Sequence, residues 1–123
     1  MTQNKRILIV DDDANERESM ADLLIEHGFT VLQAANGEEA IATASLERPA
    51  LVLLDTVMPG MDGHETCRRI KALEGEVPKV VIVTGKIDAV DAVKAREAGC
   101  DDYTAKTTAF ELLLESIKKL IAG

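Results

Sequence analysis

The sequence predicts an α/β fold, in which helices cover both faces of a parallel five-stranded sheet. Short apolar segments alternate five times with longer segments of helical periodicity, which is the order that winds a parallel sheet. Most of the apolar segments are continuous Val, Ile and Leu runs, as strands buried on both faces require. With 123 residues, of which 46% are hydrophobic, the chain suffices for one such domain over residues 1–123.

The predicted strands are four- or five-residue segments of high β-propensity that end at polar or turn-forming residues. The most apolar of them are the first, Ile7-Leu8-Ile9-Val10, and the third, Leu51-Val52-Leu53-Leu54. In chain order the five strands are predicted over Arg6–Val10, Thr30–Ala34, Leu51–Asp55, Val80–Thr84 and Asp102–Ala105.

A helix is predicted after each strand. The last helix has the clearest pattern, because six apolar residues between Phe110 and Ile121 recur at helical spacing and form one stripe. Gly28 and Gly99 come just after predicted helices, where a left-handed residue commonly ends a helix. The five helices are predicted over Ala14–His27, Gly37–Glu47, His64–Leu73, Ala89–Ala98 and Ala109–Ala122.

The starts of these helices carry capping residues. Each cap is followed three positions later by an acidic side chain, a pattern that satisfies free N–H groups and complements the helix dipole. Only the last pair is a strict capping box. The pairs are Asp13/Glu16, Asn36/Glu39, Asp62/Glu65, Asp88/Asp91 and Thr108/Glu111.

Polar side chains gather where the predicted strands end. Asp11 and Asp12 follow the first strand, Asp55 and Thr84 end the third and fourth strands, and Lys106 follows the fifth. Because the carboxyl ends of parallel strands share one edge, we expect these groups to meet there. Carboxylates suit Mg²⁺, and a carboxylate can also accept a phosphoryl group covalently. A hydroxyl and an ammonium group would hold the phosphoryl oxygens.

The chain resembles the receiver domains of response regulators in two-component signalling over nearly its whole length. Each matching segment is weak alone, but four in order at these spacings form a specific signal. They are Ile7-Leu8-Ile9-Val10-Asp11-Asp12, Leu53-Leu54-Asp55 with Met58-Pro59-Gly60-Met61-Asp62-Gly63, Val83-Thr84-Gly85, and Gly99-Cys100-Asp101-Asp102-Tyr103 leading to Lys106.

The resemblance implies a flavodoxin-like (βα)5 fold with strand order 2-1-3-4-5. It implies that Asp55 accepts a phosphoryl group from a phosphohistidine of a sensor kinase or of a histidine phosphotransfer protein. Asp12, Asp55 and the backbone carbonyl of Val57 would hold Mg²⁺, with Asp11 assisting through water.

The resemblance also implies a signalling device. Thr84 and Lys106 would bind the phosphoryl group, and Tyr103 would change rotamer as Thr84 moves. A downstream protein would then read the fourth helix, fifth strand and fifth helix, the surface through which a dimer could also form.

Two features depart from the family pattern. The residue after Lys106 is Thr107 where proline is usual, so we expect a trans peptide bond at this position. Val57 and Lys86 flank the expected path of hydrolytic water, and neither favours hydrolysis. We therefore expect slow self-dephosphorylation and no enzymatic turnover beyond self-catalysed phosphoryl acceptance.

The composition indicates which partners are disfavoured and which cellular compartment is expected. A net charge of −8 argues against nucleic acid or an anionic membrane as a direct partner. Cys67 and Cys100 lack the spacing of a metal site, so we interpret them as packing residues in a reducing cytoplasm.

Two other functions stay open at this point. The first is a receiver-like interaction module that acts without phosphorylation, against which the intact set of acids with Thr84 and Lys106 argues. The second is a phosphohydrolase that forms an aspartyl phosphate. It would need a general acid near Asp55 and a substrate pocket, and the sequence indicates neither.

Overall fold

The fold has five strands, each followed by a helix. A computed structural model of the chain describes residues 4–56, 58, 60–85 and 89–122. The strands are β1 (Arg6–Val10), β2 (Thr30–Ala34), β3 (Leu51–Asp55), β4 (Lys79–Thr84) and β5 (Asp102–Ala105). The helices are α1 (Ala14–Glu26), α2 (Gly37–Glu47), α3 (Gly63–Lys71), α4 (Ala89–Glu97) and α5 (Phe110–Ala122).

The strands form one parallel sheet in the order β2-β1-β3-β4-β5, which confirms the predicted fold class and strand order. The register aligns the strand ends. Val10 pairs with Leu54, and Thr84 pairs with Ala105. The residues that follow these positions therefore emerge together at the carboxyl edge of the sheet.

The sheet is buried on both faces because alternate side chains of its central strands enter two separate apolar clusters. Helices α2, α3 and α4 contribute to the first cluster, and α1 and α5 to the second. The first cluster includes Leu8, Val10, Val52, Leu54, Val80, Ile82, Ala40, Ala44, Cys67, Ile70 and Ala95. The second includes Ile7, Ile9, Leu51, Leu53, Val81, Ala21, Leu24, Leu113, Leu114 and Ile117.

Three of the predicted helix caps form. The side chain of Asp13 accepts hydrogen bonds from the N–H groups of Asn15 and Glu16 at 2.9 and 3.1 Å. Asn36 and Asp62 cap α2 and α3 in the same manner, each accepting one N–H at 2.9 Å. Asp88 lies outside the described residues.

The predicted capping box at the start of the last helix is wrong. Helix α5 begins at Phe110, so Ala109 precedes it and Thr108 stands one position too early to cap. The hydroxyl oxygen of Thr108 lies 2.9 Å from that of Thr104, the penultimate residue of β5. Other predicted bounds differ by at most two residues, the largest difference being the end of α3 at Lys71 instead of Leu73.

None of the helices in the described ranges is long and apolar enough to cross a bilayer.

Candidate functional site

Three carboxylates converge at the carboxyl edge of the sheet, as the sequence predicts. Asp55 is the last residue of β3, and Asp11 follows β1 at the equivalent register position. One carboxylate oxygen from each of Asp11, Asp12 and Asp55 lies within 4.8 Å of the others. Asp55 is only 5% exposed, whereas Asp12 is on the surface. Such a set of oxygen ligands, with one side open to solvent, could hold a hard divalent cation.

Burial of Asp11 disfavours its charged form. Burial and the nearby charge of Asp55 raise the pKa of Asp11 from 3.8 to about 6. Two features act in the opposite direction: the N–H of Asp13 donates to Asp11 at 3.0 Å, and the charge of Lys106 lies close by. A cation at this edge would relieve the remaining repulsion, so the donor chemistry fits a metal site.

Lys106 reaches across the end of β4 to Asp11, Asp12 and Asp55, which together are called the acidic group below. Its Nζ lies 3.3 Å from Oδ2 of Asp55, 2.9 Å from Oε2 of Glu16 and 3.8 Å from Oδ2 of Asp11. Burial disfavours the ammonium, but these carboxylates outweigh that effect and raise the pKa of Lys106 above its ordinary value. The lysine is therefore a permanent cation next to Asp55.

The peptide bond after Lys106 is trans, as predicted, because the described part of the chain contains no cis bond. With a trans bond here, Lys106 must still reach the site for the predicted role. The distance to Asp55 shows that it does, and the flexible four-carbon stem explains why.

Glu16 belongs to this group of charges, although the sequence placed it only in a helix-capping pair. Its carboxylate pairs with Lys106 and contacts Asp11, across 90 residues of chain in the first case. No periodicity or motif signals this contact, since it depends on how α1 packs on the sheet and on how far the side chain of Lys106 reaches from β5.

Thr84 and Tyr103 lie on β4 and β5, on the opposite side of β3 from Asp11 and Asp12. Thr84 ends β4 and is 3% exposed. Tyr103 pairs with Ile82, two residues before Thr84, and packs against the cluster beneath α2, α3 and α4. The hydroxyl oxygen of Tyr103 is buried. The two residues are thus close neighbours on adjacent strands, and the switch role of Tyr103 stays a prediction.

The backbone around Asp55 is held by a close approach of α3. A Cβ atom on Gly63 would lie 2.3 Å from the carbonyl oxygen of Asp55 and 2.7 Å from Cα of Thr56. The backbone N–H of Gly63 donates a hydrogen bond to the carbonyl oxygen of Thr56 at 3.2 Å. Glycine is therefore required here for close packing. Val57, with its implied carbonyl ligand, and Lys86 lie outside the described residues.

Comparisons with known proteins agree with this geometry. A family model described as the response regulator receiver domain matches residues 7–118. The chain is 40% identical over 119 residues to protein PilH of Pseudomonas aeruginosa, covering 96% of this chain and 98% of PilH.

It is 43% identical over 105 residues to the DNA-binding response regulator MtrA of Mycobacterium bovis, covering 85% of this chain but only 45% of MtrA. The crystal structure of a CheY-like receiver domain protein from Methanospirillum hungatei has a TM-score of 0.87 at 35% identity, covering 96% of this chain and 94% of the other. This chain belongs to the response regulator receiver domains of two-component signalling.

Proposed function

We propose that Asp55 accepts a phosphoryl group from a phosphohistidine of a sensor kinase or of a histidine phosphotransfer protein. The observation that carries the proposal is the position of Asp55, a nearly buried carboxylate between two further acids and one lysine at the sheet edge. In the transfer, a carboxylate oxygen of Asp55 attacks phosphorus. The P–N bond breaks, and its electron pair returns to the imidazole, which takes up a proton.

The cation of this site is proposed to be Mg²⁺, held by Asp12 and Asp55 with Asp11 assisting. When bound, Mg²⁺ neutralises charge on the transferred phosphoryl oxygens. Mg²⁺ prefers oxygen ligands and commonly uses one or two carboxylates together with waters and phosphate. The open side of the acidic group, next to exposed Asp12, leaves room for such waters.

Lys106 and Thr84 are proposed to bind the phosphoryl group. Lys106 already contacts Asp55, so its ammonium can follow the negative charge that phosphorylation adds there. A hydroxyl at Thr84, on the strand next to Asp55, would bind a further oxygen. Movement of Thr84 would leave room for Tyr103 to change rotamer. The new position of Tyr103 would then alter the neighbouring protein surface.

The signal is proposed to leave through protein contacts at α4, β5 and α5. Apolar side chains are exposed there, with Val90 65% and Leu112 61% accessible to solvent. A dimer through the same surface is part of this proposal.

A reducing cytoplasm is the proposed compartment, which is supported by Cys67 and Cys100 as free thiols. Slow self-dephosphorylation without further enzymatic turnover is proposed as well.

Phosphoryl acceptance is tested by intact mass after incubation with acetyl phosphate, and then with a phosphohistidine donor. We expect one phosphoryl adduct that forms only with Mg²⁺ and is absent from Asp55→Asn, because the amide cannot act as the nucleophile. Asp62→Asn, at an exposed helix cap, is the matched control and should still form the adduct. A protein that folds, binds Mg²⁺ and stays unmodified by both donors would instead indicate the phosphorylation-independent module.

Mg²⁺ is expected to raise the melting temperature of the protein, because it binds the folded acidic group and not the unfolded chain. The gain should amount to about 1–2 kcal/mol when the cation exceeds its dissociation constant about tenfold to thirtyfold. Asp12→Ala should remove most of this gain, as measured by thermal unfolding with and without Mg²⁺. Equal gains in both proteins would place the cation elsewhere.

A further inference from the structure

Lys106 has a closer partner than the proposed acceptor. Its Nζ lies 2.9 Å from Glu16 and 3.3 Å from Asp55. The side chain of Glu16 is 52% exposed, whereas that of Asp55 is 5% exposed. The ammonium therefore lies between a buried carboxylate and one at the rim of the site.

The start of α1 leaves the carboxylate of Glu16 available for this contact. In α2 the equivalent acid, Glu39, turns back to the helix start, where it accepts the N–H of Ala35, the residue before the cap, at 3.2 Å. In α1 the N–H of Asp13, the cap residue itself, is taken by Asp11 at 3.0 Å. Among the described residues the carboxylate of Glu16 accepts no backbone N–H, and its side chain extends to Lys106 at 2.9 Å.

We propose that Glu16 is a positioning residue that restrains Lys106 while Asp55 is unphosphorylated, so that phosphoryl acceptance requires the ammonium to loosen from Glu16. The proposal rests on the proposed function of Asp55 and assigns the resting partner of its lysine. Glu16 thereby lowers the rate at which the site accepts phosphoryl groups.

Charge and space both allow the exchange of partners. A phosphoryl group carries about −1.5 to −2 charges, so it competes strongly with a single, partly exposed carboxylate for the ammonium. The pair of Glu16 and Lys106 lies at a cavity of about 420 Å³ between α1 and α5. Lys106 therefore has open space beside it.

The test is the initial rate of phosphorylation by acetyl phosphate in Mg²⁺, followed by intact mass. Glu16→Gln is expected to raise this rate about threefold, the size that loss of a partly exposed ion pair implies. Glu18→Gln, on the exposed surface of the same helix, makes the same change in net charge without contacting Lys106 and is the matched control. It should change the rate much less.

A double-mutant cycle with Lys106→Met separates restraint of the lysine from the general field of the carboxylate. In the Lys106→Met background, the effect of Glu16→Gln should fall to that of Glu18→Gln. A persistent increase there would show that Glu16 acts by its field alone, and an equal or lower rate for Glu16→Gln in the native background would also overturn the proposal. If the unaltered protein accepted no phosphoryl group at all, the proposed function itself would fail.

Discussion

Gly63→Ala is expected to lower the free energy of unfolding by about 3 kcal/mol, at the upper end of what overpacking costs. The added Cβ would lie 2.3 Å from the carbonyl oxygen of Asp55 and 2.7 Å from Cα of Thr56. Both contacts are with backbone, so no flexible side chain can move to relieve them. Alanine gains up to about 1 kcal/mol as a helix former at the start of α3, which offsets only part of the strain. Urea unfolding in EDTA measures the loss.

Gly85→Ala is the control for this effect. Gly85 directly follows β4 at the same edge of the sheet, but a Cβ there meets nothing within 4 Å. Its substitution should change the free energy of unfolding by less than about 0.5 kcal/mol. Because the clash in Gly63→Ala falls on the backbone of Asp55, the rate of phosphoryl acceptance should fall as well. Equal stability of the two variants would show that α3 can withdraw from β3 at little cost.

The fold could be predicted because local patterns and long-range packing agree in this chain. Continuous apolar runs mark strands buried on both faces, and the stripe on α5 marks the face that covers the sheet. Helix ends were less predictable. The pair Thr108/Glu111 has the sequence of a capping box, but Thr108 contacts Thr104 and the helix begins two residues later. A tertiary contact thus replaced a local one.

The site was predictable where it depends on strand ends and not where it depends on helix packing. Asp11, Asp55 and Lys106 could be brought together from the sequence because parallel strands share one carboxyl edge. Glu16 could not be placed in the site from the sequence, since its contact with Lys106 depends on the position of α1 relative to that edge. The close approach of Gly63 to β3 could not be predicted for the same reason, since it depends on how α3 packs against the sheet.

The meeting of carboxylates at this edge was also predictable, but not which of them is most destabilised in its charged form. Lys106 lies 3.3 Å from Asp55 and 3.8 Å from Asp11, so the acceptor has the nearer counter-charge. Asp11 has the raised pKa, about 6 instead of 3.8, and burial is the main cause. The instability of the metal-free site should therefore be concentrated at Asp11.

Asp11→Asn is accordingly expected to stabilise the metal-free protein by about 2 kcal/mol at pH 7.5. A tenfold change in proton affinity corresponds to about 1.4 kcal/mol, and part of the gain is lost because the substitution also removes attraction to Lys106. The amide oxygen of asparagine can still accept the N–H of Asp13, now at 3.0 Å. Chemical unfolding in EDTA at several pH values measures the difference.

The pH dependence distinguishes this effect from simple repacking. Because the pKa of Asp11 is higher in the folded state, folding takes up a proton between about pH 4 and pH 6. The free energy of unfolding of the native sequence should therefore fall as pH rises through this range, relative to Asp11→Asn. The two proteins should be nearly equal at pH 4 and differ fully above pH 7. Asp22→Asn, on the exposed surface of α1, should show no such divergence. A variant less stable than the native sequence at pH 7.5 would mean that the attraction of Lys106 outweighs burial, and that Asp11 supports the resting fold even without a cation.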